Sequence, residues 1–245
     1  MSGNPANETL MAVCDAALFD LDGVLTPTAE VHMRAWSDMF NAYLAGRGLA
    51  EPYTDADYFT YVDGKPRYDG VRSFLASRGI VLPDGDPSDE PALETVCGLG
   101  NRKNGAFSAV LERDGVAPYP GSVQLLDYLT DRGVKMAVVS SSQNAPSVLQ
   151  AAGLLDRFGV IVDGKLARAE GLPGKPAPDT YLFAAAALGV PKERAVVFED
   201  AVSGVQAGHA GAFGLVVGVD RGVGAESLAD EGADLVVSDL AELLP

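Results

Sequence analysis

Ala16-Ala17-Leu18-Phe19-Asp20-Leu21-Asp22-Gly23-Val24-Leu25-Thr26 is the stretch on which the fold turns. Ala16 to Phe19 is an apolar run of the length a buried strand needs. Asp20 and Asp22 follow where that strand would end. In extended chain, residues i and i+2 face the same way, so both carboxylates can address one pocket. Gly23 lets the chain leave in a conformation that other residues avoid. This suits a nucleophile beside an acid/base partner, with a cation to offset their repulsion. Two solvated aspartates in a turn are the bland alternative. A calcium loop also uses Asp-x-Asp with a following Gly, but Leu21, Val24 and Leu25 stand where such a loop needs oxygen ligands.

Charge narrows the function. The 245 residues carry 18 Lys+Arg against 34 Asp+Glu, a net charge of −16. That field disfavours nucleic acid and anionic membrane as partners. It also means that phosphate chemistry needs a local island of cations and metal. No apolar run has the length of a membrane span. Met1 to Thr9 is polar, lacks the pattern of a signal peptide and reads as a frayed tail. Cys14 and Cys97 suggest neither a zinc site nor a disulfide framework, which fits a reduced, cytoplasmic setting.

From Ser122 onward, strand and helix alternate. The pattern predicts strands over 134–139, 160–162, 195–198, 215–219 and 235–237. It predicts helices over 123–129, 145–152, 180–188 and 202–210. Short apolar strands alternating with helices give a parallel sheet covered on both faces. Ligands bind such sheets beyond the carboxyl ends of the strands. Residues 28–116 differ. Val31, Ala35, Met39 and Tyr43 recur at helical spacing, as do Phe107, Val110 and Leu111, while 83–91 is a Pro/Asp-rich loop. The expectation is an α/β core of residues 1–27 and 117–245, with a helical domain, 28–116, inserted between Pro- and Gly-bearing crossings.

Three further segments fall at strand ends. Ser140-Ser141-Ser142-Gln143-Asn144 offers hydroxyls and backbone N–H groups just before a helix, an anion seat or an ordinary N-cap cluster. Gly174-Lys175-Pro176-Ala177-Pro178-Asp179 fixes the backbone around Lys175 with two prolines. Its ammonium can neutralise a carboxylate and a phosphoryl oxygen together, or it is a solvated lysine in a rigid loop. Glu199 and Asp200 end a buried strand, where two adjacent acids are costly without a cation. With Asp20 they offer hard oxygen ligands to magnesium.

In this order the segments resemble the haloacid dehalogenase superfamily of phosphoryl-transfer enzymes. The resemblance implies a Rossmann-like parallel sheet core with an inserted α-helical cap. It implies Asp20 as nucleophile, Asp22 as general acid/base, and Ser140 and Lys175 as the phosphate-binding pair. Magnesium would be held by Asp20, the Asp22 carbonyl and Asp200, with Glu199 directly or through water. A narrower likeness is to the β-phosphoglucomutase-like branch. It is carried by Thr28-Ala29-Glu30-Val31-His32-Met33-Arg34-Ala35-Trp36, by Arg67-Tyr68-Asp69-Gly70-Val71, by Arg102-Lys103-Asn104, by Ser142 with Asn144, and by residues 174–179. Taken singly, His32 reads as a satisfied helix residue, and Arg67 and Lys103 as surface charges. The resemblance instead implies that Arg67 and Lys103 hold the phosphate distant from the nucleophile, and that His32 couples Asp22 to cap closure. It implies that Thr28, Trp36, Ser142 and Asn144 serve the substrate, and that the Lys175–Pro176 bond is cis. Pro27 replaces an Asp common in relatives, and Gln143 a Lys that would add positive charge near the sugar phosphate.

The expected substrates are therefore small sugar phosphates, handled by a cytoplasmic monomer. The expected reaction is the β-phosphoglucomutase cycle through an aspartyl phosphate and a bisphosphate. A sugar-phosphate phosphatase is the rival on the same core. A catalytically silent sensor would not need both Asp20 and Asp22.

Overall fold

The computed structural model describes residues 4–245. The chain divides into two compact units. One runs to Pro27 and resumes at Val116, and the other is Thr28–Gly115.

The first unit is α/β. Its strands are β1 (Ala16–Phe19), β2 (Lys135–Val139), β3 (Val160–Val162), β4 (Ala195–Glu199), β5 (Leu215–Val219) and β6 (Leu235–Val237). They form one sheet in the order β3-β2-β1-β4-β5-β6, and every pairing is parallel. β1 is central, with Phe19 opposite Val138 on one side and Phe198 on the other. Phe19 and Phe198 stack with ring centroids 4.5 Å apart. All four residues of β1 are buried, as an apolar run covered on both faces must be. The α/β expectation thus holds at the level of individual strands, with β4 one residue longer and β2 one residue shorter than the pattern predicts.

The N-terminal expectation fails. Instead of a frayed tail, Pro5–Val13 forms helix α1, with Met1–Gly3 outside the described residues. Asn4 caps it by accepting from Ala6 N, and Pro5 fits the first helical turn, where its missing N–H costs nothing. Leu10 is fully buried, and the Asn7 amide donates to Leu243 O.

The second unit is helical, with no strand among its described residues. It contains α2 (Thr28–Gly46), the capped turn α3 (Asp55–Asp57), a π-helical turn Tyr58–Val62, α4 (Arg67–Ser77) and α5 (Val96–Asp114). Its core is aromatic. Phe40 lies 5.3 Å from Trp36, 5.0 Å from Tyr53 and 4.3 Å from Phe74, centroid to centroid.

The α/β unit then adds α6 (Pro120–Asp131), α7 (Ala145–Ala151), α8 (Gly164–Ala169), α9 (Asp179–Leu188), α10 (Val202–Ala210) and α11 (Ala225–Asp230). No helix among the described residues is long and apolar enough to cross a membrane.

Candidate active site

Parallel strands put all their carboxyl ends at one edge of the sheet. Because β2, β1 and β4 are neighbours, Ser140, Asp20 and Glu199 are brought side by side. Asp20 N donates to Phe198 O at 2.9 Å, which locks the end of β1 to β4. The loop before α9 delivers Lys175, whose side chain is almost wholly buried. Its Nζ donates to Asp20 Oδ1 and Glu199 Oε1, each at 2.5 Å, and to Val139 O at 3.0 Å. The Lys175–Pro176 bond is cis.

Glu199 is saturated. Its Oε1 also accepts from the Tyr181 hydroxyl at 2.8 Å, and its Oε2 accepts from the backbone N–H groups of Asp200 (3.1 Å) and Ala201 (3.2 Å). Each oxygen therefore has two donors, which fills a carboxylate's acceptor capacity. Gly204, on α10, makes room for it. A Cβ there would sit 1.8 Å from Glu199 Oε1. Gly23 is required twice over. Its φ is +89°, and a Cβ would lie 1.8 Å from Asp200 Oδ2.

Burial lowers the Lys175 pKa, but Asp20 and then Glu199 outweigh it, and the ammonium is held above its ordinary value. Burial also pushes the Asp20 carboxyl well up, with Glu199 and Asp22 adding to the rise and Lys175 opposing it. Tyr181 is raised by burial first and by Glu199 second, so it stays a donor.

The carboxylates of Asp20, Glu199 and Asp200 are all buried, with a ligand oxygen of each within 4.8 Å of the others. Three carboxylates face one ammonium, so the residues fit a divalent cation with hard-oxygen preference. Since all four acceptor sites of Glu199 are taken by protein donors, Asp20 and Asp200 are the better candidates to hold such a cation. Sequence reasoning gave Glu199 a metal bond, directly or through water. In the structure Glu199 lies within the carboxylate cluster and also holds Lys175.

At the end of β2, Ser140 Oγ accepts from Ser142 N, and Ser142 Oγ accepts from Asn144 N, both at 3.1 Å. These hydroxyls shape the turn before α7. Within the helical unit, Lys103 on α5 is 3% exposed. Its ammonium contacts His32 Nδ1 from α2 and lies 4.9 Å from the Trp36 ring and 5.2 Å from the Phe107 ring. His32 stacks on Phe107 at 4.0 Å. The sequence reading assigned Lys103 and His32 separate tasks, and the structure joins them. Trp36, expected to serve the substrate, packs in the aromatic core at 5% exposure. Thr28 opens α2 and is buried. Arg67 opens α4, and its Nη2 donates to Asn104 Oδ1 at 2.6 Å, beside Lys103. Tyr181 and Gly204 were missed by sequence reasoning. Tyr181 has a signal, an aromatic one turn into the helix that follows the Lys175 loop, but its partner appears only once β4 is in place.

A parallel sheet carrying an acidic pair, a lysine and a buried carboxylate cluster at its carboxyl edge defines a class, and comparison with known proteins agrees. The family model described as haloacid dehalogenase-like hydrolase matches residues 14–211, and the chain belongs to that family. It is 54% identical over 239 residues to a β-phosphoglucomutase of Mycobacterium bovis, covering 94% of this chain and 91% of that one. It is 34% identical over 233 residues to a β-phosphoglucomutase of Bacillus subtilis, covering 93% and 91%. Among solved structures, a β-phosphoglucomutase from Clostridium difficile superposes with a TM-score of 0.74 at 24% identity, covering 94% and 93%, a likeness of fold.

Proposed function

We propose that this chain interconverts β-glucose 1-phosphate and glucose 6-phosphate through an aspartyl phosphate at Asp20 and a β-glucose 1,6-bisphosphate intermediate. The observation that carries the reading is the buried Asp20–Lys175–Glu199 chain of hydrogen bonds, in a protein 54% identical to a β-phosphoglucomutase.

In the first half-reaction, phosphorylated Asp20 gives its phosphoryl group to the sugar 6-hydroxyl. The new O–P bond forms as the Asp20 O–P bond breaks, and Asp22 takes the hydroxyl proton. The bisphosphate then turns over. Asp20 attacks the phosphorus at C1, and Asp22 returns the proton to the departing C1 oxygen, which leaves glucose 6-phosphate. Lys175, the Ser140 hydroxyl and backbone N–H donors offset charge on the transferring group, where most phosphoryl-transfer catalysis lies. A magnesium ion held by Asp20, Asp200 and the Asp22 carbonyl would supply further screening of that charge. Glu199 acts through Lys175.

In this reading Thr28–Gly115 is the cap. Arg67 and Lys103 bind the phosphate that is not being transferred, His32 works through Lys103, and Thr28, Ser142 and Asn144 serve the sugar phosphate. The enzyme acts as a cytoplasmic monomer.

The test is to incubate the protein with magnesium, β-glucose 1-phosphate and a trace of bisphosphate, and to measure glucose 6-phosphate against free phosphate. Glucose 6-phosphate should dominate. Asp20→Asn should take up no phosphate and form no product while remaining folded, because an amide is a poor nucleophile. Release of mainly free phosphate by the wild type would establish the phosphatase instead.

A further inference from the structure

The loop that carries Asp22 is tied down at three consecutive carbonyls. Gly23 O accepts from Arg221 Nε at 2.9 Å. Val24 O accepts from the buried Ser122 hydroxyl at 2.7 Å. Leu25 O accepts from Tyr119 N at 2.9 Å. Each tie comes from a segment far along the chain. Nearest to Asp22 is Arg221, which follows β5 in a turn shaped by Asp220, whose Oδ1 accepts from Gly222 N and Gly224 N. The guanidinium does more than hold Gly23. Its Nη1 donates to Ser238 O at 2.9 Å, and its plane lies over the Tyr119 ring, 4.0 Å from the centroid.

The loop that positions the Asp22 carboxylate is also tied within itself, with Gly23 N donating to Thr26 O at 2.8 Å and Leu25 N to Leu21 O at 3.0 Å. On one side of Asp22, Asp20 N is fixed to Phe198 O. On the other side stands Gly23, at φ +89°, which has no side chain to restrict its own conformation. To these ties within the turn the Arg221 Nε adds a side-chain donor that fixes the Gly23 carbonyl to a segment outside it. Arginine suits the task. A planar fork can donate along two directions while its face stacks on a ring, and a lysine ammonium cannot reproduce all three contacts.

We infer that Arg221 is a positioning residue for Asp22, fixing the acid/base loop to the Tyr119 segment. The inference rests on the reading of Asp22 as the acid/base group. Arg221 donates to the Gly23 and Ser238 carbonyls and stacks on Tyr119, none of which is a reacting group.

Two half-reactions separate this role from general support. In the first, Asp20 is phosphorylated by acetyl phosphate with magnesium. The acyl O–P bond breaks, acetate leaves as an anion, and no proton from Asp22 is needed. In the second, phosphorylated Asp20 transfers to β-glucose 1-phosphate, and Asp22 is needed. Wild type, Arg221→Lys, Arg221→Met and Tyr119→Ala are compared in both. A misplacement of about 1 Å in a reacting group costs up to roughly 10²-fold, so Arg221→Met should slow the second half-reaction by about ten- to hundredfold. Arg221→Lys should fall in between, and Tyr119→Ala should show part of the loss. The first half-reaction, run at saturating magnesium, should slow far less than the second, because the Asp22 carboxylate takes no part in it.

If Arg221→Met fails to fold, Arg221→Lys and Tyr119→Ala carry the same comparison. Transfer at the wild-type rate in these variants overturns the inference. So does equal slowing of both half-reactions, which marks damage to the whole site. A wild type that takes up no phosphate on Asp20 overturns the nucleophile reading, and the inference falls with it.

Discussion

Each unit buries one lysine, and the two solve the same problem differently. In the α/β unit, Lys175 is neutralised by two carboxylates and a carbonyl. In the helical unit, the contacts of Lys103 include two ring faces and an imidazole nitrogen. Carboxylates fix a charge strongly, and they in turn are left exposed to one another if it goes. Ring faces hold a cation by about 0.5–2 kcal/mol each and remain content without it. The first arrangement suits a charge that must never move. The second suits a charge available to a phosphate that comes and goes.

The largest expected effect is at Lys175. Lys175→Met leaves Asp20 and Glu199 facing each other in a buried place. Removing one partner of a buried ion pair typically costs about 3–5 kcal/mol. Urea unfolding should show that loss, added magnesium should recover part of it, and phosphoryl transfer should vanish. Lys103→Met, by contrast, puts an apolar chain among apolar rings. It takes a partner from His32 Nδ1 but leaves no pair of buried carboxylates facing each other, so it should cost less stability than Lys175→Met. A charge-assisted contact to phosphate is worth roughly 1.5–3 kcal/mol, so mutase efficiency should still fall about ten- to hundredfold. Equal losses of stability in the two variants would break the comparison.

A third test stays within the carboxylate cluster. Asp200→Asn should weaken magnesium binding, read by calorimetry, by about tenfold or more, and Glu199→Gln by less, because the Glu199 oxygens are already filled by protein donors. The reverse ranking would make Glu199 a ligand after all.

The smallest effect concerns Cys14. Burial, then Asp15, pushes its thiol up to about 12. The folded thiol thus stays protonated where the unfolded one ionises. Stability from this source is intact below pH 8.5, and is lost as pH rises toward the folded value. By pH 9 the loss is about 1 kcal/mol. Cys14→Ala should fall less than wild type between pH 7 and pH 9 in urea midpoint. Parallel falls would exclude the thiol as the cause.

What the sequence disclosed followed from where each residue gets its partners. β1, β3, β5 and β6 were readable to the residue because a strand buried on both faces is a bare apolar run. Asp20, Ser140 and Glu199 were readable because strand ends are marked by the first polar residue after such a run. α1 was missed although Asn4-Pro5 is a sound helix start. Its buried Asn7 finds its partners only at Tyr128, in the middle of the chain, and at Leu243, near its far end. α4 was missed because Gly70 and the charges of Arg67, Asp69 and Arg72 hid the spacing of the buried Tyr68, Val71, Phe74 and Leu75. Gly204 and Arg221 could not be read at all, and Tyr181 only as an aromatic without its partner. Their function is to meet a particular oxygen, and no local pattern encodes that meeting.

The central place of β1 has a consequence for how the protein is made. The strand bearing Asp20 is translated well before its sheet neighbours, which exist only after Val138 and Phe198 have been added. At about 5–20 residues per second, that wait lasts roughly ten seconds or longer. The aromatic core of Thr28–Gly115, by contrast, draws only on residues translated in between. We therefore expect nascent chains stalled near residue 150 to yield a protease-resistant helical fragment while β1 is still cleaved. Protection of β1 at that length would mean that a provisional partner shields it. The strand that organises the finished sheet is, during synthesis, the one that waits longest for its neighbours.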